Sequence, residues 1–175
     1  NHDDIDTNTI YIDGTKLEAN ANKFTFVWKK ATLKYQARLM KKMSNALLDL
    51  NEFYKECNID IVYLVKEKYD VSDFIDTFEN LQRIKRNVDT VFVKGIGHRK
   101  DEFQKKYEQF EEMTNKAMQY AERIEKCGNR NSYSKTDEDA TFMHGKEDYY
   151  MKTGIFKAYY NIQIGVSDEY IRYID

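Results

Sequence analysis

Proline is absent from this 175-residue sequence, so no helix is forced to stop for want of an amide, and long helices are favoured. Cysteine is scarce: Cys57 and Cys127, 70 positions apart, make neither a disulfide framework nor a zinc site. Reduced thiols, and therefore a cytoplasmic location, are the expectation. No apolar run approaches the roughly 20 residues of a membrane span, and the first residues are acidic and polar rather than signal-like. An excess of one charge is missing too, since 28 Lys+Arg against 30 Asp+Glu leave a net charge of -2. That balance excludes a histone-like partner for nucleic acid but leaves room for a local basic patch. There is no Walker loop, Rossmann fingerprint, nucleophile elbow, Cys-x-x-Cys pair, internal repeat or low-complexity tract.

What is there suits a folded chain: 33% charged and 41% hydrophobic residues in 20.9 kDa. The sequence opens in Asn1-His2-Asp3-Asp4 and ends on Tyr173-Ile174-Asp175 within a strand-like stretch, which reads as a piece of a larger protein. Three zones separate by periodicity. Ile10 and Ile12 form a short strand running into an Asp13-Gly14 turn, and Phe24 to Trp28 make a second extended piece. Residues 29 to 128 are helical. Leu33, Met40, Leu47 and Tyr54 recur at sevens with Met43, Leu50 and Cys57 interleaved; Phe103, Phe110, Ala117 and Ile124 repeat the pattern with Met113, Tyr120 and Cys127. Gly128 stands where a C-cap belongs.

The runs 31–57 and 100–127 have matched lengths, roughly 40 Å each at the helical rise, so they read as an outgoing and a returning antiparallel arm. Val71, Phe74, Ile75, Phe78 and Leu81 mark a shorter helix, and Ile59 to Val65 a short apolar stretch, both at the tip. The third zone begins with the polar stretch Asn129 to Asp139. Tyr160, Ile162, Ile164 and Val166 then alternate with Tyr159, Asn161, Gln163 and Gly165 as a half-buried strand, followed by a Ser167-Asp168 turn and a return strand at 170–174. The strand at Ile10 to Asp13 should lie beside the one at Tyr160 to Val166, because each is too short to stand alone.

Candidate chemistry is sparse. Asp13 reads either as the first residue of an Asp-Gly turn or as a carboxylate at the end of a core strand, able to hold a divalent metal if others converge on it. Asp139, His144, Glu147 and Asp148 form either a solvated polar run or a metal cluster lacking the usual third His or Cys. Lys94-Gly95-Ile96-Gly97-His98-Arg99-Lys100 is either an inter-helix loop or a flexible grip on phosphates, with Arg83, Lys85 and Arg86 nearby. Cys57 and Cys127 lie on the helical seams and read as buried thiols.

Three ordered blocks carry a family resemblance. They are Tyr11 to Lys23 with Phe26-Val27-Trp28-Lys29-Lys30; Cys127 to Asp137 with Asp139 to Met143; and Lys146-Glu147-Asp148 through Met151-Lys152, Gly154, Lys157 and Tyr160 to Ile164. Together they closely resemble bacterial insertion-sequence transposases of the DDE type, over nearly the whole chain. The resemblance implies an RNase-H-like core whose three acidic residues bind two metal ions, with Asp13 matching the first. The second and third lie downstream in the family, and neither Asp168 nor Asp175 falls in a matching block, so neither is carried over. Glu138 and Ala158 stand where the family has proline, which should loosen local turns. His144 stands where it has arginine, which argues against a metal ligand there.

The resulting expectation is an α+β chain: a partial RNase-H-like sheet with a large inserted antiparallel helical arm. Residues 1–28 hold the first core strands and Asp13, 29–128 the insertion, and 129–175 the polar loop and core hairpin. The resemblance implies a DNA transposase that cleaves phosphodiesters and transfers strands with Mg²⁺ or Mn²⁺, acting on transposon-end and target DNA as a homo-oligomer. Asp13 is the catalytic and metal-binding candidate; Lys94, His98, Arg99, Lys100 and Lys16 are the DNA-contact candidates. With one of three ligands, this chain alone should not cut DNA. The alternatives are a helical module that pairs protomers through its seam, or a decayed remnant without activity.

Overall fold

Two heptad-patterned runs without proline produce the two longest elements of the fold. The computed structural model describes residues 9–88, 91–95, 97–146, 151, 152, 154–167 and 170–175. In order these form β1 (Tyr11–Glu18), β2 (Phe26–Trp28), α1 (Lys29–Glu56), α2 (Val71–Asn87), α3 (Glu102–Cys127), β3 (Ser132–Ser134), β4 (Thr141–His144), β5 (Phe156–Ser167) and β6 (Tyr170–Ile174). The fold is α+β. It divides into a helical unit, Lys30–Glu125, and a sheet unit made of the chain up to Lys29 with Lys126–Asp175.

In the helical unit, Met43, Leu47, Leu50 and Tyr54 of α1 are buried with Phe110, Met113 and Ala117 of α3 and Phe74 and Leu81 of α2. The long helices run antiparallel: Tyr35 meets Tyr120 at one end, and Phe53 stacks on Phe103 at the other. Between them α2 is tied on by Thr114, whose hydroxyl donates to the Phe74 carbonyl at 3.1 Å, and by Phe78 against Tyr107. Burial, and next the neighbouring Tyr63, hold the Tyr54 hydroxyl far above the ordinary tyrosine range. The seam frays at its ends, contrary to the heptad reading: Leu33 is exposed, and so is Cys57. Cys57 lies past the end of α1, where Asn58 takes a left-handed φ of 54° and breaks the helix. Cys127 is buried, as expected, and closes α3 at the end away from Phe103. Both thiols are free. Gly128, at φ 51°, supplies the expected left-handed cap.

In the sheet unit β5 is the central strand. β1 pairs antiparallel with it from Tyr11↔Val166 to Glu18↔Tyr159, so the strands expected to be neighbours are neighbours. The other edge of β5 is shared by β4, from Thr141↔Tyr159 to His144↔Phe156, and β6, from Ile164↔Ile174 to Ser167↔Tyr170. β2 and β3 form a separate two-stranded ribbon. Phe26 and Trp28 of that ribbon meet the Phe142 ring edge-on at 4.9 Å each.

Three expectations need correction. Asp13-Gly14 is not a turn, since β1 continues straight through to Glu18. Gly14 serves close approach instead, because an added Cβ would lie 3.1 Å from the Gln163 side-chain amide. The polar stretch after Gly128 contains β3, whose Ser132 and Ser134 are buried, and β4 follows it. Ala158 lies inside β5, packed with Ala19 and Ala140, so the missing proline loosens no turn there. The expected turn residue Asp168 lies outside the described residues.

Candidate functional site

Strand alternation sorts the site residues. Tyr11, Asp13, Thr15 and Leu17 share one face of the sheet with their partners Val166, Ile164, Ile162 and Tyr160. The Asp13 residue is exposed on that largely apolar face. Lys16, three positions on, belongs to the opposite face, across from Asn161. The catalytic candidate Asp13 and the DNA-contact candidate Lys16 thus lie on opposite faces of β1. The Lys16 ammonium donates to the His144 carbonyl at 2.9 Å. With Gly14, Gly145, Lys146 and Asn161 it borders a cavity of about 280 Å³.

Asp13 brings one carboxylate, whereas a hard divalent cation takes about six oxygen ligands. Among the described residues no group of three or more His, Cys, Asp or Glu side chains could hold a metal ion. The described residues therefore do not make a Mg²⁺ or Mn²⁺ site by themselves. In the second acidic cluster, Asp139 is exposed, and its carbonyl accepts from Arg130 at 2.8 Å. His144 is half-buried, with its ring edge-on to Phe156 at 4.7 Å. Glu147 and Asp148 lie outside the described residues.

The basic stretch before α3 is exposed at Lys94, His98, Arg99 and Lys100. Gly95 and Gly97 have φ of 94° and 92° with nothing within 4 Å of an added Cβ, so backbone conformation alone calls for glycine. Ile96 lies outside the described residues. Lys100 is paired with Glu108 at 2.5 Å, and this hydrogen bond holds the Glu108 carboxyl below the usual range. Lys85 places its ammonium over the rings of Phe92 and Tyr107, at 3.9 and 4.4 Å, and so serves packing. Arg83 and Arg86 are exposed.

Residues that periodicity overlooks hold the irregular segments. Arg130 donates to the carbonyls of Lys126, Glu138 and Asp139 and gathers the chain after α3. Asn51 and Gln104 each grip one residue's main chain with both atoms of a side-chain amide: Asn51 grips Tyr63, and Gln104 grips Val93. The only sequence signal for them is an amide interrupting an apolar helical pattern. No helix among the described residues is long and apolar enough to cross a membrane. Set against protein-family models, curated proteins and solved structures, the chain matches none of them.

Proposed function

We propose that this chain is part of a DDE-type DNA transposase, with an RNase-H-like core and Asp13 as the first of its acidic residues. One observation carries the reading. Asp13 lies mid-strand on β1, exposed, in an antiparallel β1-β5-β6 arrangement that a long helical segment interrupts between β2 and β3. The resemblance of the three sequence blocks supports it. Mg²⁺ or Mn²⁺ would serve the activity only with further acidic ligands, so the chain alone cuts no DNA. Transposon-end and target DNA are the partners, with homo-oligomeric assembly in the cytoplasm. Lys94 and Arg99 offer exposed positive charge to phosphates and His98 an exposed ring N–H, Lys100 adds charge once released from Glu108, and Lys16 is exposed on the other unit.

The test has two arms. Mn²⁺ added to the labelled chain should broaden the amide signals of residues 12–15 and 163–165, with affinity in about the millimolar range, as suits one carboxylate. Asp13→Asn should remove the broadening. In the product of the whole reading frame, Asp13→Ala should abolish Mg²⁺-dependent cleavage of DNA. Normal cleavage by that variant would take Asp13 out of the reading.

A further inference from the structure

The apolar stretch Ile59 to Val65 joins no strand among the described residues, yet its centre is held as one would be. The Tyr63 N–H donates to Asn51 Oδ1, and the Tyr63 carbonyl accepts from Asn51 Nδ2, both at 2.8 Å. An extended residue presents both groups to one side, so Asn51 of α1 stands in for one rung of a neighbouring strand. The main-chain groups of Val62 and Leu64 then point away from α1, and among the described residues no main-chain hydrogen bond reaches them. This open edge is short. The Ile61 N–H turns in to the Ile59 carbonyl, and the Lys66 N–H donates to the Tyr69 hydroxyl, both at 2.9 Å. The Tyr63 ring lies beside Tyr54 of the core, so strand alternation sends the Val62 and Leu64 side chains the other way. They are 75% and 81% exposed.

The sequence of the edge says what covers it. Asp60-Ile61-Val62-Tyr63-Leu64-Val65-Lys66 complements itself when a second copy runs antiparallel about a two-fold axis through Tyr63. Val62 then lies opposite Leu64, Ile61 opposite Val65, and Asp60 opposite Lys66, each pair on one face as an antiparallel ladder requires. The same register makes each Val62–Leu64 pair the hydrogen-bonded kind, which is the kind their outward main chains can form. Their four side chains from two copies make one apolar cluster, with an Asp60–Lys66 pair at either end. Asp60 is exposed; Lys66 bonds Asp73 at 2.5 Å, but its ammonium has further donors for a second carboxylate. We propose that two copies of this chain associate through their Val62–Leu64 edges, antiparallel about Tyr63. This goes beyond the transposase reading and does not depend on it, since it rests on the helical unit alone. The edge strand β1 offers no such match: an axis through Gly14 or Thr15 sets Ile12 opposite Lys16 or Glu18. The heptad seam is not the contact either, because its central residues are buried within the helical unit. So short an edge falls below the roughly 1,000 Å² of a lasting interface, so the dimer is weak, with a Kd of about 0.3 mM.

The test compares the isotope-labelled full chain at about 1 mM and about 20 μM, on either side of that Kd. The Val62 and Leu64 amide signals should shift with concentration, and their hydrogen exchange should be about threefold slower in the concentrated sample. Leu64→Pro removes an edge N–H from each copy without touching the Asn51 bonds, and should weaken association about tenfold at unchanged helix content. Asp60→Lys and Lys66→Glu should each weaken self-association about tenfold, because each sets like charges opposite one another at both ends of the ladder. Mixed in equal amounts, those two variants should pair with each other at about wild-type strength, since every charge then meets its opposite. The inference is overturned if the Val62 and Leu64 signals do not depend on concentration, or if Leu64→Pro associates like wild type. A mixture no tighter than either variant alone, or association that shifts other amides instead, overturns it as well.

Discussion

Single amide side chains decide where the loops of the helical unit run. Gln104, only 2% exposed, receives its place from Asp101, which accepts from the Gln104 N–H at 2.6 Å. Its Oε1 accepts from the Val93 N–H at 3.0 Å, while Nε2 donates to the Val93 carbonyl at 2.7 Å and to Glu108 at 2.8 Å. Gln104→Leu keeps the side-chain volume but leaves two main-chain groups of Val93 unpaired, and should cost about 2 kcal/mol in urea unfolding. A loss under about 0.5 kcal/mol would mean that water takes over both bonds. An amide within an apolar helical pattern is a weak sequence signal for such a glutamine, because its burial depends on a partner 11 positions away. Asp13 and Lys16 present the reverse case. Their spacing of three places them on opposite faces of a straight strand, and β1 is straight through both because Asp13-Gly14 is not the expected turn.

Elements with a long, sustained period were legible, and those held by non-local polar bonds were not. The heptads marked α1 and α3, and strict alternation marked β5. The ribbon β2-β3 has three residues a side, and its β3 is Ser-Tyr-Ser, too polar to read as a strand. It exists because Phe26 to Trp28 pair with it across more than 100 positions, a distance no local pattern reports. α2 combines both kinds of signal. Its apolar spacing was readable, and its start is fixed by a reciprocal capping box in which Asp70 accepts from the Asp73 N–H and Asp73 accepts from the Asp70 N–H. Removing the first partner by Asp70→Ala should destabilise the helical unit by about 1 kcal/mol, seen as a lower urea midpoint with unchanged slope. An unchanged midpoint would show that the Lys66–Asp73 pair alone fixes that end.

For the molecule as a whole, the two units differ sharply in what they bury. The helical unit closes over a continuous apolar core from Leu39 to Ala117, including Tyr54, Phe74 and Phe110 with no exposed surface. Among the described residues the sheet unit has two small buried clusters, one of three alanines and one of Val27, Cys127 and Tyr133. All five residues of β6 are exposed, as are Tyr11, Ile12 and Leu17 of β1. A sheet with so little cover on its apolar face draws its stability from ladder bonds and a few ring contacts, so it should open locally well before the helices do. Native-state hydrogen exchange should find amides of Met43 to Leu50 and Phe110 to Ala117 exchanging at least about a thousandfold more slowly than those of β6 and the outer half of β1. If a transposase core is completed by further chain, Asp13 gains a covered sheet, and β1 exchange in the whole-frame product should fall toward the helical rate. Equal protection of β6 and α3 in the present chain would defeat the prediction. It would show that the exposed face of the sheet, Asp13 included, is already held as firmly as the helical core.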